Sequence, residues 1–227
     1  MFQCPPCNCE KCSRLVAFRE QNKIKFPNYH NAPVESFGTL NAQILVVGLA
    51  PGLHGANQTG RPFTNDYAGD VLYPALKKYG FAIGEYLRQK DDGFELIDVR
   101  VTNSVRCVPP QNKVTTDEIK SCLPFLQNEI SSMPNLKIIL CLGAISHGAV
   151  LQALNYKKAH YKFAHGASHI LANHHYVLID SYHTSRYNIN TNVLTIPMFD
   201  AIIEQIRVLI DKKKQIYDFL QNFVMKC

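Results

Sequence analysis

Three stretches of this chain combine residue types that ordinary turns do not need. The longest is Gly48-Leu-Ala-Pro-Gly-Leu-His-Gly-Ala-Asn-Gln-Thr-Gly-Arg-Pro-Phe-Thr-Asn-Asp66, with four glycines, a histidine, an arginine, an aromatic ring and a carboxylate in nineteen residues. Glycines such as Gly48 and Gly52 let backbone approach a ligand closely. Phe63, in a loop and exposed by this reading, offers a face for a planar ring. Asp66 can orient a water, although capping the helix that follows is the commoner role for such a residue. In the second stretch, Thr102-Asn103-Ser104, the Asn103 amide can read a pyrimidine edge that offers both a carbonyl and an N–H; a strand-end Asx-turn would use the same residue structurally. The third is Ser181-Tyr-His-Thr-Ser-Arg-Tyr-Asn188, where His183 can hydrogen-bond an oxygen on which negative charge develops. For His54, loop contact, backbone ordering and catalysis are all open.

Four of the eight cysteines crowd the first twelve residues. In a cytosolic chain that favours metal binding over disulfides. Cys9 and Cys12 have metal-ligand spacing, and Cys107 and Cys122 supply a second pair. Four thiolates can hold a [4Fe–4S] cluster or a zinc ion, and spacing does not separate the two. Cys4 and Cys7 form a competing pair. Cys141 reads as a small apolar strand residue, and Cys227 as a free terminal thiol. Such an arrangement would staple the N-terminus to the middle of the domain.

The elements that must position these groups alternate in type. Ile44–Val47 reads as a buried strand, followed by strands over 94–101, 137–142 and 176–180. A short basic helix over 13–23 carries Leu15, Val16 and Phe18 inward. A second helix spans 70–79, started or kinked by Pro74 and stopped by Gly80. Thr115 and Glu118 fit a capping box that opens a helix through Glu129, and another covers 144–154. An amphipathic helix closes the chain, its inner face carrying Phe199, Ile202, Ile203, Ile206, Leu209 and Ile210 and continuing to Phe219, Leu220 and Phe223. Lys212 to Lys214 read as a solvated face. The alternation predicts an α/β fold with a mainly parallel sheet. In such sheets ligands bind beyond the carboxyl ends of the strands, so the three polar stretches should meet in one crevice.

At 227 residues, 46% hydrophobic and 19% charged, the chain suits one globular domain, 1–227. It has no run of about 18 apolar residues to cross a membrane. The opening Cys/Pro segment is not a secretory signal, so a cytoplasmic location and a monomer are expected. The net charge of +6 is compatible with a polyanionic partner.

Together, Cys9 to Glu20, Gly48 to Asp66, Thr102 to Pro110, Cys122 and Ser181 to Asn188 make the chain resemble the uracil-DNA glycosylase superfamily. The match is to its iron–sulfur type-B branch, also called family 5, because Leu49 stands where the type-A branch has a catalytic Glu. The resemblance implies a four-stranded, mainly parallel sheet flanked by helices, and a [4Fe–4S] cluster on Cys9, Cys12, Cys107 and Cys122. It implies excision of uracil, or another damaged base, flipped out of DNA. Asp66, Asn103 and His183 would be catalytic. Phe63, Gly48, Gly52, His54 and Asn188 would surround the base. Arg186 and Tyr187 would enter the duplex, and Arg106 would meet phosphates, as would the Arg14 region. The chain departs from the family pattern at Gln58, Asn65 and Tyr187, and in its Cys4/Cys7 pair. The leading alternative is a non-catalytic DNA-binding module stapled by iron–sulfur or zinc. An electron-transfer protein is another. A phosphate-cradling enzyme is disfavoured, since the loop has neither G-x-G-x-x-G nor a Gly-Lys-Ser/Thr ending.

Overall fold

The computed structural model describes residues 3–171 and 176–224, with side chains described through residue 212. Phe219, Leu220, Phe223, Lys213, Lys214 and Cys227 therefore lie outside the described side chains.

The elements run α1 (Ser13–Lys25), β1 (Ile44–Gly48), α2 (Ala56–Thr59), α3 (Tyr67–Lys78), β2 (Ala82–Ile83), β3 (Glu95–Leu96) and β4 (Val99–Asn103), then α4 (Thr116–Ser131), β5 (Ile138–Leu142), α5 (Ala144–Ala153), β6 (Ser168–Leu171), β7 (Tyr176–Ser181), α6 (Arg186–Asn190) and α7 (Ile196–Val224). The main sheet has the order β4-β1-β5-β7-β6. Its first four strands are mutually parallel, as expected. β6 adds an antiparallel edge that the sequence reading did not contain. That edge strand is short and only Leu171 is buried in it, so it carries no apolar run.

Alternation along each strand separates two cores. Ile44, Val46, Val101, Leu140 and Ile179 face α3 and α7. Leu45, Val47, Ile139, Cys141 and Leu178 face α4 and α5. The central strands are buried on both faces, which is why they read as continuous apolar runs.

The segment over 94–101 is not one strand. Asp98 adopts a left-handed conformation (φ 57°), so β3 ends before it and pairs with β2 while β4 begins after it. The inner face of α1 is Leu15, Arg19 and Asn22, with Val16 and Phe18 only half-buried. Arg19 points inward because it donates to the Cys9 carbonyl at 3.0 Å and ties the cysteine segment to the helix. α3 starts at Tyr67, earlier than 70, because Asp66 caps it. The Thr115/Glu118 capping box forms with both reciprocal bonds, a device contributing about 1 kcal/mol.

Candidate active site

The carboxyl ends of β1, β4 and β7 open into one crevice of about 350 Å³, where Phe63, Asp66, Asn103 and His183 converge. β1 sits between β4 and β5, so the chain crosses from one side of it to the other, the crossover point at which such sheets bind ligands. Gly48 and Asn103 are register partners at the ends of β1 and β4.

The loop after β1 has little freedom. A Cβ on Gly48 would strike the Phe63 ring and come within 2.5 Å of Asn103 Oδ1, so only glycine lets those groups close over the strand end. Phe63 and Asn65 both have positive φ, at 51° and 63°. Tyr86 holds that turn by accepting from the Asn65 N–H and donating to the Phe63 carbonyl, each at 3.1 Å. Beneath it, buried Arg61 forks onto Asp92 at 2.7 and 2.8 Å and donates to Thr64 Oγ1 at 2.8 Å. Burial would raise the Asp92 carboxyl, but Arg61 and the Leu87 and Phe94 N–H groups outweigh it and hold it at about 2.

Asp66 caps α3 and also faces the crevice. Its Oδ1 accepts from the Gly69 N–H at 2.8 Å as the cap of α3, while the carboxylate also lines the crevice. Burial pushes its pKa up, against the backbone bonds from Gly69 and Ala68. A carboxylate so placed is a stronger base than an exposed aspartate. Phe63 is not exposed: at 5% exposure it forms a wall, with its ring near-parallel to His183 at 6.3 Å between centroids. Burial lowers the pKa of His183, which keeps the ring neutral near pH 7. Asn188 Nδ2 donates to the His183 carbonyl at 2.8 Å, so Asn188 positions this histidine and does not itself line the crevice. Among the described residues the Asn103 amide has no hydrogen-bond partner, which leaves its donors and acceptor for a ligand.

Gly52 and Arg186 also line the crevice, and Arg186 packs over the Tyr67 ring at 5.3 Å. Tyr187 stands beside them, 73% exposed. His54 and Arg106 also lie elsewhere. His54 is exposed, bonded to Tyr29 Oη at 3.0 Å and edge-on to Phe26, outside the crevice. Arg106 cannot meet phosphates: it is 2% exposed, paired with Glu129 and bonded to Ser36 Oγ at 2.6 Å. An arginine after a strand end looks basic in sequence, but the buried carboxylate of Glu129 captures it. Arg14, too, is committed, forking onto Glu118 at 2.8 and 2.7 Å.

Several contributors escaped the sequence reading. Gly55 is one: a Cβ there would come within 2.9 Å of Asp66 Oδ2 and Cβ. Its signal was simply a further glycine in the loop. Tyr67 and Asn112 line the crevice, and Tyr86 and Asp92 support it, all without any local signal. The departures Gln58 and Asn65 touch each other, Asn65 Nδ2 donating to Gln58 Oε1 at 3.1 Å.

Cys9, Cys12, Cys107 and Cys122 line a second, tighter cavity with Leu15 and Phe125. Burial pushes the Cys107 thiol up to about 12, reinforced by Cys122, Cys9 and Cys12 against Arg19. Cys122 and Cys12 are raised by burial as well. Three sulfurs whose burial disfavours the thiolate suit a cationic metal centre, which would favour their ionised form. Cys4 is half-buried and Cys7 exposed, neither lining that cavity.

A family model described as the uracil DNA glycosylase superfamily matches residues 35–207. The chain is 38% identical over 206 residues to a type-5 uracil-DNA glycosylase of Thermus thermophilus, covering 88% of this chain and 93% of that one. A type-5 uracil-DNA glycosylase of Pyrobaculum aerophilum is 36% identical over 203 residues, 87% of each chain. A type-4 uracil-DNA glycosylase of the same organism matches more weakly, 30% over 148 residues, 65% of this chain and 61% of that one. The chain therefore belongs to the uracil-DNA glycosylase superfamily, in its type-5 branch.

Proposed function

We propose that this protein hydrolyses the N-glycosidic bond of uracil flipped out of DNA, leaving an abasic site. The observation that carries this reading is the convergence of Phe63, Asp66, Asn103 and His183 in one crevice at the strand ends. Extracting the base costs a few kcal/mol, and less at a mispair, which favours damaged sites. The base would stack on Phe63 and pair its edge with the Asn103 amide. As the C–N bond breaks, its electron pair leaves with the base. Neutral His183 would donate to the carbonyl oxygen that gains this charge. Asp66 would offset the positive charge on the sugar and take a proton from the water that bonds to the anomeric carbon.

Arg186 and Tyr187 at the mouth would meet the duplex, Tyr187 as a wedge. Gly52 and the apolar run Leu49-Ala50-Pro51 restrain the base little, so other deaminated or damaged bases would also enter. Cys9, Cys12, Cys107 and Cys122 would hold a [4Fe–4S] cluster, which supplies a structural clamp and an electrostatic partner for the thiolates. The working unit would be the monomer. No helix among the described residues is long and apolar enough to cross a membrane.

The test is a panel of duplexes, each carrying one lesion, scored for abasic sites at several salt concentrations. Uracil should be released, with affinity falling steeply as salt rises. Binding without any base release would leave a non-catalytic DNA-binding module as the reading.

A further inference from the structure

We propose that His147, His169 and Asp180 form a binding site for a divalent transition-metal ion, zinc by its ligand chemistry, separate from both the crevice and the cysteine pocket. The three side chains come from α5, β6 and β7, and their ligand atoms all lie within 4.8 Å of one another. Asp180 is completely buried, and His147 nearly so.

The hydrogen bonding is incomplete in the way a metal site would be without its ion. Among the described residues, Asp180 Oδ2 and His169 Nε2 are both buried and lack a hydrogen-bond partner. They face each other at 3.4 Å. Two ligands on a tetrahedral zinc with bonds of about 2.0–2.1 Å stand about 3.3–3.4 Å apart. A buried carboxylate oxygen left unsatisfied is otherwise costly.

His147 is oriented as a ligand. Its Nε2 lies 2.9 Å from the Tyr161 carbonyl, which can only accept, so Nε2 carries the proton. Histidine ligands of metals almost always donate their other ring N–H to such a carbonyl. Nδ1 is then the nitrogen turned toward Asp180, 2.8 Å from Oδ1. In the metal-free protein a proton bridges that contact, and the ion would displace it. Phe163 and Tyr161 pack edge-on to the two imidazoles and wall the site with aromatic surface.

The ion would clip the edge strand β6 to β7 and α5. Asp180 lies three residues before His183, so the clip would steady the strand that carries the crevice histidine. It would do so without touching substrate.

The experiment uses the full-length, anaerobically purified protein carrying Cys4→Ser and Cys7→Ser, dialysed against micromolar zinc. We expect about one zinc per chain beyond the iron, with an X-ray absorption shell of nitrogen and oxygen only at about 2.0–2.1 Å. His169→Gln should weaken zinc binding by about 100-fold or more, while iron content stays at its starting value. His169→Cys should retain the ion and add one sulfur at about 2.3 Å, which decides the matter if His169→Gln folds poorly. Absence of zinc, sulfur in the original shell, or unchanged binding in His169→Gln would each overturn the proposal and leave an ordinary histidine–aspartate hydrogen-bond network.

Discussion

Asn103 faces the crevice and Cys107, four residues on, faces the cysteine pocket, yet the two cavities are built differently. The crevice encloses about 350 Å³ and the cysteine pocket about 20 Å³. Around the crevice, glycines, left-handed turns and the Arg61–Asp92 pair hold the walls, and the Asn103 amide has no hydrogen-bond partner among the described residues. In the cysteine pocket the inward-facing atoms are sulfurs beside Leu15 and Phe125, with Cys9 held by a turn onto the Pro6 carbonyl and by Arg19. One region is rigid so that something transient can enter. The other, on the proposed function, would be held together by a resident cluster. Substitutions in the first should therefore cost activity and spare the fold, and substitutions in the second should do the reverse.

The largest separation of the two effects is expected at Asp66. Asp66→Asn should lower single-turnover excision by about 10²–10⁴-fold, with iron content unchanged. Because burial raises the Asp66 pKa, its ionised form costs stability once pH rises through the unfolded-state value. Asn keeps the cap without that charge, so thermal unfolding at neutral pH should move upward. The same shift sets the acid limb of the wild-type rate above the ordinary aspartate range, and a pH profile of single-turnover excision reads it. Excision at the wild-type rate in Asp66→Asn would remove the carboxylate from the chemistry.

His183→Ala should cost about 10²–10³-fold in the same assay, without loss of iron. Gly55→Ala comes next. Its Cβ would come within 2.9 Å of Asp66 Oδ2, and displacing a reacting group by about 1 Å can cost up to about 10²-fold. A crystal structure of that variant with Asp66 unmoved and the rate intact would show that the loop is more tolerant than its packing suggests.

In the cysteine pocket the order reverses. Cys107→Ala should strip most iron and lower thermal stability, with excision falling only as the fold is lost. Cys7→Ser is the smallest effect: Cys7 is exposed, and surface changes stay within about 0.5 kcal/mol. Iron lost from Cys7→Ser but retained in Cys107→Ala would exchange the ligand pairs.

The crevice was legible because its members announce themselves by position. Asn103 and His183 follow apolar strands, and Asp66 ends a glycine-rich loop. Arg106 shows where position misleads. It follows the same strand as Asn103, but charge in a sequence does not say whether a partner such as Glu129 waits inside. His54 sits in the right loop and faces the wrong way, toward Tyr29. The edge strand β6 left no mark because a half-exposed edge needs no apolar run.

By itself the sequence determined the alternating elements, the strand ends at which chemistry collects and the pairing of cysteine spacings, because each is written in local periodicity and residue type. Only the tertiary structure decided which polar side chains remain free. Arg61 and Arg106 are consumed by Asp92 and Glu129, Asp66 caps a helix while still facing the crevice, and Asp180 meets two histidines from different elements. Burial and partnership depend on residues distant along the chain, and those two quantities set whether a charged group supports the fold or acts on a ligand.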